Sequence, residues 1–326
     1  MAVDASWVRG LPKAEVHVHL EGSLPPALVA GAGDPAFRDL AGFLAYLDAA
    51  CALVTTAEQV AAVGYAVAAR AAAAGVRYVD LIWNPTHWPA WRDRVGAFVD
   101  AIDSGLRGAA EDGLPPVGLC VSLKRTQSAE EALGLVDYLI ELRQPRVVAL
   151  SIDGNEAATG RTGARFAAAF SRARASGLHC CAHAGESSGP EGVRDALEYL
   201  GAERIDHGVR AIEDGALVAH LAATGVPLDV CPTSNVRLGV APSLREHPVE
   251  ALRRAGVRVS LNTDDPVLFG ATVDGEYAAC ASAFGWGADA LADVARTSIE
   301  SCFADDGLRQ DLLRDLAAYV GGDGPS

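Results

Sequence analysis

Eight times along this chain of 326 residues, a short apolar run is followed by a stretch of helical character. The runs read as strands over residues 14–20, 76–83, 117–123, 147–152, 178–183, 204–207, 226–231 and 257–262. Strands alternating with helices pair in parallel, because each helical crossover returns the chain in the same direction. Eight such units predict an α/β fold of the closed (β/α)8 TIM-barrel kind rather than an open doubly wound sheet. An open sheet would carry a glycine-rich phosphate fingerprint after its first strand, GxGxxG or GxxxxGKS. Neither is present. Residues 24–56 break the repeat. With Pro25, Pro26, Gly31, Gly33 and Pro35, then an amphipathic piece around 43–53, they predict a helical excursion over one end of the barrel. Helices are expected over 57–74, 91–110, 129–142, 163–175, 192–200, 213–224 and 248–255. Two extra C-terminal helices, over 289–302 and 308–320, finish the chain, and the final GGDGPS reads as a frayed tail. No Pro/Gly/Ser-rich linker divides it, so one domain over 1–326 is expected.

A barrel places its chemistry at the C-terminal ends of its strands. The polar residues of this chain gather at those ends. The first run closes with His17 and His19, two residues apart and so on one face of a strand. The fifth ends in CAHAGE, giving His183 and Glu186. The sixth ends at Asp206-His207-Gly208, the seventh runs into CPTSN (231–235), and the eighth ends in LNTDDP with Asp264 and Asp265. Singly, each has an ordinary reading: a satisfied histidine on a strand, or an aspartate pair capping a turn before proline. Together on one rim, three histidines and a carboxylate make a metal site with room for a water. A further glutamate, histidine and aspartate stand by as acid, base and orienting groups.

Charge and cysteine content narrow the partners. A net charge of −15 argues against nucleic acid and anionic membrane surfaces and leaves a small neutral ligand open. Residues 60–76, the most apolar long stretch, are too few to span a bilayer and are interrupted by Tyr65 and Arg70. The first ten residues show no basic region followed by an apolar one, so no signal peptide is expected. The seven cysteines are odd in number and without CxxC spacing, which speaks against a disulfide framework and a zinc ribbon. Reduced thiols in a cytoplasmic protein are the expectation, with Cys180 and Cys181 filling a buried strand.

The motifs HVHLEGSL, HAGE, DHG, CPTSN and SLNTDDP, in this order and at these spacings, resemble those of the adenosine deaminase family of metal-dependent purine deaminases. The resemblance runs from about residue 11 to about residue 303. It implies a (β/α)8 barrel, one catalytic zinc per chain and an aminopurine substrate. The HxE and PCxxC signature of the small cytidine-deaminase type is absent. Carried over position by position, the resemblance makes His17, His19, His183 and Asp264 the metal ligands. Glu186 becomes the residue that handles the proton at the ring nitrogen beside the amine-bearing carbon. His207 becomes the histidine that orients and helps deprotonate the metal-bound water. Asp265 would hold the imidazole-side ring nitrogen, and the backbone N–H of Gly154, in IDGNE, would meet a pyrimidine-ring nitrogen. His19 and Glu21 would also face the substrate. Chemistry supports such roles. Displacing ammonia from an aminopurine breaks aromaticity at the attacked carbon; zinc acidifies water, and a carboxylic acid activates the ring by protonating it.

Departures from the family pattern bear on the substrate. Glu21 stands where the adenosine branch has aspartate, which resembles branches acting on adenine or modified nucleosides. Strand two ends in Ile82-Trp83-Asn84-Pro85, where many relatives carry an arginine before the aromatic. Asn155 replaces an acidic residue, and Thr233 in CPTSN resembles nucleoside-handling members. The expected substrate is a 6-aminopurine nucleoside, adenosine or a modified form such as aminodeoxyfutalosine, with free adenine or another amino-heterocycle as the alternative. Arg237 reads ordinarily as a loop salt bridge, and functionally as the partner of a substrate carboxylate. Trp83 and Trp88 read as packing residues, or as a platform for the purine. A hydrolase for amides or lactones would show a bridging lysine or a second metal set, and none is found. An inactive nucleoside-binding relative would have lost a ligand or Glu186, and all are kept.

Overall fold

The computed structural model describes residues 3–32 and 40–322. Gly33 and Pro35 of the expected excursion, and the last four residues of the tail, lie outside them. Eight strands form one sheet in sequential order: β1 (Lys13–His19), β2 (Val76–Trp83), β3 (Val117–Lys124), β4 (Val147–Asp153), β5 (His179–Ala184), β6 (Arg204–His207), β7 (Leu228–Val230) and β8 (Val259–Leu261). Each pairs in parallel with the next. The circle closes just past β8, where Val18 bridges Asp264 in parallel. There the His19 amide donates to the Asp264 carbonyl (2.7 Å) and the Asp264 amide to the His17 carbonyl (3.1 Å). The expected (β/α)8 barrel is thus present, and the hydrogen bonds that close it also bring its first and last strands' polar ends together.

Because helices cover the outside and side chains fill the inside, β1 is buried along its whole length. That explains the continuous apolar character of the runs. The helix Ala57–Ala73 shows how the crossovers are punctuated. Thr56 caps it, its side chain accepting from the Gln59 amide while Gln59 returns a bond to the Thr56 amide. Gly75 then takes φ 75° and releases the chain into β2. Inside the barrel, the buried Arg204 of β6 ties four strands. Its guanidinium lies 2.7 Å from Asp80 of β2 and 2.9 Å from Asp229 of β7, and donates to the Val16 carbonyl of β1 (2.9 Å). A buried cation so enclosed fixes the register of its neighbours, since a shift would leave it unpaired.

The excursion is partly as expected: a short turn Pro26–Val29 and a helix Leu40–Cys51, whose Phe43 stacks on Phe269 at 5.1 Å. Other boundaries differ. The last two strands are shorter than expected because the residues after Val230 and Leu261 turn out of the ladder into the polar rim. The helix expected from residue 91 begins at Val95, after the 3-10 turn Pro85–His87. Residues 190–200 change from α-helix (Pro190–Asp195) to a π-turn (Ala196–Leu200). A helix over Val273–Phe284, capped by Thr272, was not foreseen. The two C-terminal helices occupy Ala288–Ser301 and Asp306–Gly321. All seven cysteines are buried and free. Among the described residues, no helix is long and apolar enough to cross a membrane.

Candidate active site

Two sharp turns make the site. His207 and Asp264, at the ends of β6 and just past β8, hold φ 64° and 63°. This left-handed conformation costs a non-glycine residue about 1–3 kcal/mol and persists where surrounding structure imposes it. Here the turns swing both side chains back over the mouth of the barrel, to His17 and His19 of β1 and His183 of β5. The donor atoms of His17, His183, His207 and Asp264 all lie within 4.8 Å of one another. His19 joins them: its Nε2 is 2.9 Å from His183 Nε2 and 3.3 Å from Asp264 Oδ1. His17 Nε2 is 3.4 Å from the same oxygen.

Hydrogen bonds behind the rings set their tautomers. His17 Nδ1 lies 3.0 Å from the Asp229 carbonyl, which can only accept, so Nδ1 carries the proton. His17 Nε2 is then a lone pair, buried and without a hydrogen-bond partner. His183 Nδ1 faces the Asp206 carboxylate at 3.2 Å, leaving its Nε2 free toward His19. Ser234 Oγ donates to Asp264 Oδ2 (2.6 Å) and leaves Oδ1 toward the histidines. Lone pairs of this kind, converging beside a carboxylate, are suited to a cation. Ligands about 2.0–2.1 Å from a tetrahedral zinc ion stand roughly 3.3 Å apart, close to the separations here. Two four-residue sets share His17, His183 and Asp264; the fourth place falls to His19 or His207.

The remaining polar groups face the same cavity. Glu186 is buried, and that burial, reinforced by Asp264, pushes its carboxyl up to about 7. Its Oε1 lies 3.6 Å from His207 Nε2. Burial and then the neighbouring Asp264 and Glu21 carboxylates raise Asp265 well above the usual range. Asp265 fits against the chain because residue 22 is glycine: a Cβ there would stand 1.9 Å from Asp265 Oδ1. Glu21 Oε1 accepts from the Asn84 amide (2.9 Å) and the Trp88 indole (2.7 Å), while its buried Oε2 has no hydrogen-bond partner. Burial raises this carboxyl to about 7 as well. Gly154, at φ 103°, lines the cavity.

The family model described as adenosine deaminase matches residues 34–319. The chain belongs to the adenosine deaminase family. The adenine deaminase of Agrobacterium fabrum is 37% identical over 324 residues, 94% of this chain and 98% of that protein. The aminodeoxyfutalosine deaminase of Streptomyces coelicolor is 36% identical over 335 residues, 97% of this chain and 86% of that one. Among solved structures, an amidohydrolase from Burkholderia ambifaria with bound Zn superposes with a TM-score of 0.87 at 27% identity, covering 99% of this chain and 94% of that one.

In this member of the family, His19, Glu21, Gly154, His183, Glu186, His207, Asp264 and Asp265 line the cavity, and His17 lies behind it within the histidine–aspartate group. Trp83 and Trp88 are packing residues. Trp83 stacks on Phe98 (4.2 Å, 3°), and Trp88 meets the same ring edge-on while holding Glu21. Neither lines the cavity. Arg237 is exposed, beside the cavity-lining Leu238. Four groups were missed in the sequence. The apolar side chains Leu40, Phe43, Leu44 and Leu47 form one wall, and His87 and Asp153 add polar ones. Glu156 accepts from the backbone N–H groups of Gly185, Glu186, Ser187 and Ser188 and from Ser188 Oγ. His247 stands behind the rim, 3.0 Å from Asn235. The amphipathic pattern of the excursion helix was a signal for its wall; the three others are made by tertiary approach.

Proposed function

We propose that this chain, a hydrolytic aminopurine deaminase by family, releases ammonia from a neutral 6-aminopurine nucleoside of the adenosine type. One observation carries the reading. Two carboxyls that burial holds above their usual range, Glu186 (about 7) and Asp265, share one cavity with the histidine–aspartate group. Purine ring nitrogens N1 and N7 are acceptors, so a group that pairs with them must donate. Glu186, near 7, holds the proton that N1 receives as the attacked carbon loses its aromatic bond. Asp265 donates to N7 and fixes the ring; the Gly154 N–H meets N3. His207 orients the attacking water, and Glu186 is kept within its reach. Zinc held by His17, His19, His183 and Asp264 would supply water acidified toward neutrality.

Two features support a neutral nucleoside. Among the described residues lining the cavity there is no lysine or arginine to meet a charged substituent. The unpartnered Oε2 of Glu21 would accept from a ribose hydroxyl. Free adenine is the second reading, because its N9–H offers Glu21 the same donor and because the Agrobacterium relative is an adenine deaminase. Ammonia release from adenosine, 2′-deoxyadenosine, adenine and the acidic aminodeoxyfutalosine decides among them. The proposal expects the highest kcat/KM on a neutral nucleoside. A preference for adenine moves the assignment to the base, and a preference for the acidic compound removes the argument from the lining.

A further inference from the structure

Behind the rim lies a chain of buried polar groups that no role has yet absorbed. The Val249 amide donates to His247 Nδ1 (3.1 Å). His247 Nε2 is 3.0 Å from Asn235 Oδ1, and Asn235 Nδ2 is 3.2 Å from His207 Nδ1. All three side chains are at most 3% exposed. The direction of every bond follows from its first member. A backbone N–H can only donate, so His247 Nδ1 is an acceptor and the ring's one proton sits on Nε2. That proton turns the Asn235 carbonyl toward it, which turns the amide NH2 toward His207. An amide NH2 can only donate, so His207 Nδ1 must accept. The proton of neutral His207 is therefore on Nε2, which points between Glu186 Oε1 (3.6 Å) and Asp264 Oδ2 (3.9 Å). Burial lowers His247 to about 4, so it stays neutral and keeps a single N–H.

We propose that Asn235 and His247 are positioning residues that lock His207 as an Nε2–H donor facing the reaction site. Two consequences follow. A nitrogen that carries a proton cannot ligate a cation, so of the two sets sharing His17, His183 and Asp264, the one completed by His19 binds the metal. His207 then meets the attacking water by donating a hydrogen bond, and its share of the reaction is orientation rather than proton removal at Nε2. The catalytic consequence rests on the deaminase reading; the tautomer does not.

The test uses the full-length, zinc-loaded protein labelled with 15N-histidine. Its nitrogen shifts report which ring nitrogen bears the proton, whatever the substrate. The expected spectrum assigns protonated Nε2 and unprotonated Nδ1 to both His207 and His247. In His247→Leu the amide is free to turn over, and His207 gains an Nδ1–H population. With it kcat drops by about 10–100-fold, the usual cost of losing a partner that orients a site residue, while KM and zinc content stay at wild-type values. His247→Gln keeps a donor toward Asn235 and recovers most of that rate. If His247→Leu fails to fold, Asn235→Asp, which keeps the shape but places an acceptor opposite His207, carries the same expectation. Protonated Nδ1 on His207 in the wild type overturns the proposal, as does a spectrum and kcat unmoved by both variants. A wild type silent toward every aminopurine would count against the deaminase reading alone, since the nitrogen shifts still decide the tautomer.

Discussion

In the proposed reaction, Glu186 is the residue whose environment most directly sets the chemistry. Its carboxyl is raised from 4.5 to about 7 by burial first and Asp264 second, so it remains an acid near neutral pH. The sign follows from the role. A required proton donor is present below its pKa and lost above it, so kcat/KM should be level below about pH 7 and fall tenfold per unit above it. An activity that instead rises through that window would contradict the assignment. Gly22 offers a steric counterpart. A methyl there would overlap Asp265 Oδ1, which must move to admit it. Displacement of a substrate-holding group by about 1 Å can cost on the order of 100-fold, so Gly22→Ala should lower kcat/KM by tenfold or more while metal content is kept. At this scale the sequence was informative where motif residues sit at strand ends. It was silent on Glu156 and His247, because their partners are reached only through folding: Glu156 meets amides 29–32 positions away. The strained φ of His207 and Asp264 has no signature in residue type.

Among the elements, the loop after β5 depends on a carboxylate from the segment after β4. Glu156 gathers four N–H groups and a hydroxyl of Gly185–Ser188, and so holds Glu186 in place. Each hydrogen bond to a charged group contributes about 1.5–3 kcal/mol, and an amide would turn one acceptor into a donor facing other donors. Glu156→Gln should therefore lower both Tm and kcat, measurable by thermal denaturation and steady-state kinetics; a variant with wild-type kcat would show that the loop holds itself. The helix Leu40–Cys51 is tied differently. Its Asp48 lies 2.5 Å from His87 Nδ1, across the cavity wall that Phe43, Leu44 and Leu47 form. His87→Ala should raise amide exchange in that helix and raise KM more than it lowers kcat. Unchanged exchange would mean that packing on Phe269 alone seats the helix. Strands and most crossovers were legible because a parallel barrel demands continuous apolar runs bounded by glycines. The helix Val273–Phe284 was not, since Gly275 near its start and its small residues gave no period; a Thr272 cap defines it instead.

For the whole molecule, barrel closure and site assembly are one event. The hydrogen bonds between His19, His17 and Asp264 that seal β8 against β1 also converge the candidate ligands, so a cation bound there should stabilise the fold. Zinc at 100 times its Kd contributes about 2.7 kcal/mol. For a chain of this length that is a rise of roughly 5 °C in Tm, removed by chelation, at about 2 °C per kcal/mol. An identical Tm in chelator and zinc would separate metal binding from closure. The net charge of −15 is of a sign that attracts such cations and repels polyanions. The most direct measurement of the central claim is ammonia release from adenosine and adenine by zinc-loaded wild type beside Glu186→Gln of equal zinc content. Turnover by the wild type, with a loss of about 10²–10⁴ in the variant, is the predicted result. A wild type that holds zinc yet releases no ammonia, or a Glu186→Gln protein within a few-fold of it, would contradict the account.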